Sequence, residues 1–169
     1  LDPPPEVTPL VVDIGGGSTE FVDAANAISS PIGSVRITDR TLAERPVAFG
    51  QLVSASRAIE AALEAHPEPG VRYWMVGVAG TWTIIAGLLS GEYVVGRIQG
   101  SVVSRLDLDR LVITLAATDI DATAALPGLH PRRARVILGG AMIAREAMRR
   151  FDVAEVTVSE SDLLDALVL

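Results

Sequence analysis

Residues 10–22 contain two short apolar runs separated by three consecutive glycines, with the sequence LVVDIGGGSTEFV. Runs rich in β-branched residues predict strands, and the glycine turn predicts a hairpin over 10–24 whose tip has no side chains. Successive backbone N–H groups in such a turn can bind an anion. Asp13 and Glu20 stand at the two ends of the turn, where carboxylates can hold a divalent cation or position a water. The stretch therefore predicts a phosphate site beside a carboxylate pair.

The composition excludes several classes of protein. A chain of 169 residues is long enough for one domain with a sizeable core, or for two small lobes. No apolar run reaches the ~18–20 residues of a membrane span, and no signal peptide is visible, so we expect a cytoplasmic protein without a membrane partner. The net charge of -7 argues against binding to nucleic acid, and the absence of cysteine excludes thiolate metal sites.

Hydrophobic periodicity and turn residues predict the remaining elements. Strands are predicted over 32–38, 73–78, 135–138 and 155–158, and helices over 49–65, 82–89, 107–117, 141–151 and 161–167. The residues at 66–70, with two prolines and a glycine, are expected to end the first helix. Residues 1–9 are interpreted as a linker or a truncated end, because prolines do not join a sheet interior. An antiparallel start followed by alternating strands and helices indicates an α/β domain.

Three segments in which an apolar run meets glycine stand in a recognisable order: DIGGGSTE at 13–20, GVAGT at 77–81 and ILGGAMI at 137–143. With residues 33–36, 126–129 and 156–159, they resemble the second domain of the superfamily that holds actin, hexokinase and the heat-shock chaperone ATPases. Within it, the chain is similar to the exopolyphosphatase and guanosine pentaphosphate phosphatase (Ppx/GppA) family. The implied fold of residues 10–169 is an actin-like ATPase (ribonuclease H-like) α/β domain with a mixed sheet and flanking helices.

The resemblance also implies an activity, the Mg²⁺-assisted hydrolysis of the terminal phosphate of inorganic polyphosphate or guanosine pentaphosphate. Asp13 and Glu20 match the acidic residues that handle metal and water, so both are candidate catalytic and metal-binding residues. The candidate phosphate-binding residues are Gly15, Gly16, Gly17, Ser18 and Thr19 in the first loop, Gly80 and Thr81 in a second loop, and Arg36, expected one strand away from the hairpin.

Members of the family begin with another domain, on the order of a hundred residues, that carries a first phosphate loop and the catalytic glutamate. Neither feature precedes the hairpin here. We therefore expect this chain to be the second domain of a longer protein, with that N-terminal domain as its partner and with weak activity on its own. Relatives tend to dimerise, so a homodimer is a further expectation.

Two other functions remain open from the residues. The chain is alternatively an ATP-binding kinase or ATPase of the same superfamily, or a non-catalytic sensor that binds polyphosphate or nucleotides. The absence of lysine excludes a Walker A loop, and Glu20 stands where a dinucleotide fingerprint needs its third glycine. Arg132, Arg133 and Arg135 either meet a polyanion or lie in a solvated loop.

Overall fold

The structure is a computed structural model of the chain, and it describes residues 6–64, 71–92 and 96–161. The strands are β1 (Thr8–Ile14), β2 (Thr19–Val22), β3 (Ala27–Ser30), β4 (Tyr73–Val78), β5 (Val102–Ser104) and β6 (Glu155–Val158). The α-helices are α1 (Ser34–Thr41), α2 (Phe49–Leu63), α3 (Ala79–Ser90), α4 (Arg105–Ala117), α5 (Ile120–Ala124) and α6 (Ile137–Arg150), with a 3₁₀ turn at Pro131–Arg133.

The six strands form one mixed sheet in the order β3-β2-β1-β4-β6-β5. β2 lies between β1 and β3 and is antiparallel to both. β4 lies parallel to both β1 and β6, and β5 forms the far edge of the sheet, antiparallel to β6. The predicted hairpin and the mixed sheet are therefore confirmed. β4 is buried from Met75 to Val78, as its continuous apolar sequence predicts for a parallel strand covered on both faces.

The third strand of the antiparallel start is not where the sequence predicted it. The strand predicted over 32–38 is wrong, because that segment contains the helix α1, and β3 precedes it. The Asp23 carboxylate accepts hydrogen bonds from the N–H groups of Ala25 at 2.8 Å and Asn26 at 2.7 Å, and this turn sends the chain back as β3. In α1 the adjacent residues Ile37 and Thr38 are both buried, which no alternating strand allows.

The strand predicted over 135–138 is also wrong, since Ile137 is the first residue of α6. Every residue of α6 is buried except Arg145, Arg149 and Arg150, and the helix contacts α1, α2, α3 and α4. Residues 137–144 are all buried, so the start of α6 shows no helical period and has the continuous apolar pattern of a buried strand. Gly139 and Gly140 consequently lie inside a helix and not in a loop after a strand.

The other predicted elements are confirmed with small shifts at their ends. α2 begins at the predicted residue, the helices predicted over 82–89 and 107–117 lie within α3 and α4, and the last predicted strand coincides with β6. The segments at 66–70 and 162–167, predicted to end α2 and to form a final helix, lie outside the described residues. Within the parts of the chain that are described, no helix combines the length and the apolar character needed to cross a membrane.

Candidate phosphate site

The two carboxylates predicted at the hairpin lie side by side. Asp13 on β1 pairs directly with Glu20 on β2 in the antiparallel register, and both residues are half-buried. Residues paired in this way project from the same face of the sheet with Cβ atoms about 4.5–5.5 Å apart. Like charges so close destabilise the sheet unless hydrogen-bond donors or a cation compensate them. The pair is therefore a place where a cation is favoured.

Glu20 is held by two hydroxyl groups. Its Oε1 atom accepts a hydrogen bond from Ser18 Oγ at 2.6 Å and another from Ser29 Oγ at 2.9 Å. Ser29 lies on β3 and is the register partner of Glu20 across the β2–β3 pair. The sequence interpretation missed Ser29 because it missed β3. The sequence signal that could have revealed β3 is the turn at Asp23–Asn26, since this turn sets the pairing register of the strand that follows it.

The glycine loop rests on the N-terminus of α1. The N–H of Ser34 donates to the Gly15 carbonyl at 2.9 Å, and the N–H groups of Val35 and Arg36 donate to the Gly16 carbonyl at 3.0 and 3.1 Å. Gly33 permits this approach, since a Cβ on it would lie 2.4 Å from the carbonyl of Gly16. The first amides of α1 are thus satisfied by the loop.

Because of these hydrogen bonds, the N–H groups at the tip of the loop point away from α1. Across a planar trans peptide, the C=O of one residue and the N–H of the next point in opposite directions. Because the carbonyls of Gly15 and Gly16 face α1, the N–H groups of Gly16 and Gly17 face away from it. Among the described residues these two N–H groups donate no hydrogen bond, and Gly17 is exposed. The tip of the hairpin therefore offers free amides of the kind that hold a phosphate oxygen.

The two threonines predicted to bind phosphate are buried, and their hydroxyl protons are used inside the protein. Thr19 Oγ1 donates to the Ile32 carbonyl at 2.7 Å, and Thr81 Oγ1 donates to the Ile14 carbonyl at 2.7 Å. Thr19 also points to the sheet face opposite Glu20, since successive side chains of a strand alternate. Both hydroxyl groups therefore stabilise the backbone around the loop. The hydrogen bond from Thr81 also connects α3 to the end of β1.

The second glycine loop forms the junction between β4 and α3. Val78 at the end of β4 pairs with Asp13 in the parallel register, so the junction lies next to the carboxylate pair. Ala79 adopts a left-handed backbone with φ of 63°, an arrangement that costs about 1–2 kcal/mol for a residue with a Cβ. Such backbone is found at functional sites more often than elsewhere.

Gly80, the second residue of α3, lies beside one of the arginines of the loop before α6. A Cβ on Gly80 would stand 3.4 Å from Arg133 Nη2. Free amides at a helix N-terminus and a nearby guanidinium both favour an anion. The structure thus brings Arg133 to the predicted second loop, whereas Arg135 forms an exposed ion pair with Asp39 at 2.7 Å.

Arg36 is on α1, so its predicted place one strand from the hairpin is wrong. Its guanidinium is exposed and donates to the Pro31 carbonyl at 3.4 Å. The contribution of Arg36 to the loop is made by its backbone N–H, which holds the Gly16 carbonyl. The segment around Arg36 therefore supports the backbone of the glycine loop.

Asp13 and Glu20 do not belong to a larger cluster of acidic or histidine side chains among the described residues. In residues 6–64, 71–92 and 96–161, no three histidine or acidic side chains are grouped to hold a metal ion. Mg²⁺ is, however, commonly bound through one or two carboxylates together with substrate phosphates and waters. Asp13 and Glu20 fit that type of site, in which the substrate completes the coordination.

Comparison with known proteins places these features in a family. The model of the Ppx/GppA phosphatase family matches residues 3–167. Exopolyphosphatase 2 of Mycobacterium tuberculosis is 37% identical over 174 residues, which cover 95% of this chain and 54% of that protein. A bifunctional 3-dehydroquinate synthase/phosphatase of Fusobacterium nucleatum is 28% identical over 95% of this chain and 26% of its own length.

The fold is shared with solved members of the family. The crystal structure of the Aquifex aeolicus Ppx/GppA phosphatase superposes with a TM-score of 0.88 at 27% identity, covering 97% of this chain and 57% of that one. The chain spans about half the length of the mycobacterial and Aquifex proteins it matches. From the family match, the mixed sheet of the actin-like ATPase fold and the glycine hairpin with its paired carboxylates, it follows that this chain belongs to the Ppx/GppA phosphatase family.

Proposed function

We propose that this chain is the second domain of a phosphohydrolase that releases the terminal phosphate of inorganic polyphosphate or guanosine pentaphosphate. One observation carries the proposal: a single hairpin presents the amides of Gly16 and Gly17, which donate no hydrogen bond to any described residue, next to the Asp13–Glu20 carboxylate pair. Amides suit the phosphate oxygens, and carboxylates suit the cation and water that hydrolysis of a phosphoanhydride requires.

The residues of the site have two roles: some bind the phosphate, and others hold the cation or orient the water. The loop amides hold an oxygen of the terminal phosphate, and the start of α3 with Arg133 provides further positive potential beside it. Asp13 and Glu20 hold Mg²⁺ or orient the attacking water. Mg²⁺, when bound, would neutralise charge on the transferred phosphate. Catalysis in this scheme is positioning plus charge neutralisation, as in other phosphoryl transfers.

The general base is proposed to come from an N-terminal domain outside this chain. In support, the chain covers only 54% of the mycobacterial exopolyphosphatase that it resembles. The 169-residue chain alone should then bind substrate weakly and turn it over slowly. The name of the mycobacterial relative favours polyphosphate as the substrate, and guanosine pentaphosphate is the alternative that the sequence resemblance implies.

The test is phosphate release by the full-length protein that contains this chain, with Mg²⁺ and with polyphosphate, guanosine pentaphosphate and ATP offered in parallel. Glu20→Ala should lower turnover of the preferred substrate by roughly 10²–10³-fold, the range found when one preorganised electrostatic group is removed. Glu60→Ala is the matched control, since Glu60 is an exposed carboxylate on α2. Consumption of ATP alone, or full activity of Glu20→Ala, would contradict the proposal and favour an ATPase or a sensor.

A further inference from the structure

We propose that Ser29 is a positioning residue for Glu20, whose hydroxyl group fixes carboxylate oxygen Oε1 and so reserves Oε2 for the cation or the water. The inference rests on the proposed function, because it assumes that Glu20 acts at the phosphate site. It adds a residue from the edge strand β3, which lies outside every glycine segment that the sequence pointed to.

Two hydroxyl groups from different parts of the chain surround the Glu20 carboxylate. Ser18 and Ser29 both donate to Glu20 Oε1, at 2.6 and 2.9 Å, and they come from different elements. Within the described residues, Oε2 of Glu20 accepts no hydrogen bond. Two donors on one oxygen fix the orientation of the carboxylate and leave its second oxygen as the open acceptor.

Glu20 needs this restraint because Asp13 stands directly opposite it. Repulsion between two carboxylates favours rotamers in which the longer side chain swings away, and a glutamate side chain has three torsions with which to do so. Hydroxyl donors to a charged oxygen are stronger than neutral hydrogen bonds, so they can hold the productive rotamer against that repulsion.

The two serines are not equivalent as supports. Ser18 belongs to the phosphate loop, where its hydroxyl group is itself a candidate ligand of the substrate. Ser29 is on β3, where pairing with β2 fixes its backbone, so its bond to Glu20 persists when Ser18 turns to a phosphate. Ser29 is also exposed, whereas its neighbour Ser30 is buried, and Ser30 donates to the Ala62 carbonyl at 3.3 Å. Ser30 therefore contributes to the packing of the core. The exposed hydroxyl group of Ser29 is not needed for that packing.

The experiment is a double-mutant cycle in the full-length protein, with Mg²⁺ and polyphosphate or guanosine pentaphosphate, whichever the parent hydrolyses. Ser29→Ala should lower kcat about tenfold, the loss expected for one hydrogen bond to a charged group, and leave KM unchanged. Ser29→Thr keeps the hydroxyl group and should retain kcat within about twofold. In a Glu20→Ala background, Ser29→Ala should have no further effect, because its acceptor is already gone.

A matched control and the contrary outcomes separate this inference from the function on which it rests. Ser54→Ala removes an exposed hydroxyl on α2 and should leave kcat unchanged, and unfolding midpoints check that each variant is folded. Suppose that Glu20→Ala lowers kcat as proposed, while Ser29→Ala either keeps the parental kcat or lowers kcat by the same factor in both backgrounds. The positioning role of Ser29 is then overturned, and the proposed site stands. If Glu20→Ala keeps the parental kcat, the proposed function itself fails, and the positioning role fails with it.

Discussion

Two glycine segments with the same appearance in the sequence do different things in the structure. The glycines at 15–17 form the tip of a hairpin, where the N–H groups of Gly16 and Gly17 donate no hydrogen bond to any described residue and the glycines have no side chain to cover them. Gly139 and Gly140 lie in the first turn of α6, buried against other helices. Both follow an apolar run, so the local pattern cannot tell a loop glycine from a packing glycine. The difference appears only when the neighbours of the missing Cβ are known.

The two segments are nevertheless connected through α1 and α3. A Cβ on Gly139 would lie 2.7 Å from Ile37 Cγ2 and 2.8 Å from the Ser34 carbonyl, both on α1. α1 in turn donates its first N–H groups to the carbonyls of the glycine loop. A Cβ on Gly140 would lie 2.6 Å from Thr81 Cγ2, on α3. The glycines of α6 thus allow the close packing that holds the loop glycines in place.

The largest expected effect on the free energy of unfolding belongs to Gly139→Ala. Alanine favours a helix over glycine by about 1 kcal/mol, but the added methyl group meets a backbone carbonyl that cannot give way. We expect a net loss of about 3 kcal/mol, near the upper end for overpacking of a core, measured by urea unfolding of the chain. Gly50→Ala in α2 is the matched control, since its Cβ would meet nothing within 4 Å. Equal stability of the two variants would contradict the packing role.

An intermediate effect is expected for Thr81→Val, which tests the link between the two segments. Valine keeps the methyl group that packs on Gly140 but loses the 2.7 Å hydrogen bond to the Ile14 carbonyl at the start of the hairpin turn. The free energy of unfolding should fall by about 1–2 kcal/mol, because a buried acceptor is left without its donor. Thr81→Ser keeps the donor, so it should lose less. A larger loss in the serine variant would mean that the methyl contact, and not the hydrogen bond, ties α3 to the hairpin.

The smallest effect on stability is expected for Gly17→Ala, and it should be accompanied by a loss of activity. A Cβ on Gly17 would meet no atom within 4 Å, so the free energy of unfolding should change by less than about 0.5 kcal/mol. The same methyl group would stand at the tip where we propose that phosphate binds. Phosphate release by the full-length protein should therefore fall at least about tenfold, the equivalent of one lost hydrogen bond to a charged group. Unchanged turnover would indicate that the loop tip does not touch the substrate.

The sequence predicted those parts of the fold that depend on local patterns. The hairpin, the buried strand β4 and the amphipathic helix α2 follow from β-branched runs, continuous apolar character and helical spacing. It failed at β3 and α1, because a few alternating residues such as those at 35–38 are compatible with either element. The helix predicted over 141–151 coincides with most of α6, and the prediction failed only at the start of that helix. Residues 137–144 are all buried, and such a segment lacks the periodicity by which helices are recognised.

Some features of the candidate site were likewise predictable from the sequence, and others were not. The carboxylate pair and the glycine turn are close in sequence, and the hairpin that joins them follows from residues 10–22, so their proximity was predictable. The sequence did not predict the roles of four other residues, which are Ser29, Arg133, Thr19 and Thr81. Each depends on which atom of a distant segment lies within about 3 Å, the reach of a hydrogen bond.

By itself, then, the sequence determined an α/β chain with a glycine hairpin and two facing acids, because backbone conformation and strand pairing over a short turn are set locally. Only the tertiary structure decided which glycines are open to a ligand and which are packed, and which hydroxyl groups face Glu20 and which are donated to buried carbonyls. The physical reason is that close packing and hydrogen bonding depend on distances of a few tenths of an ångström between residues that are far apart in the chain.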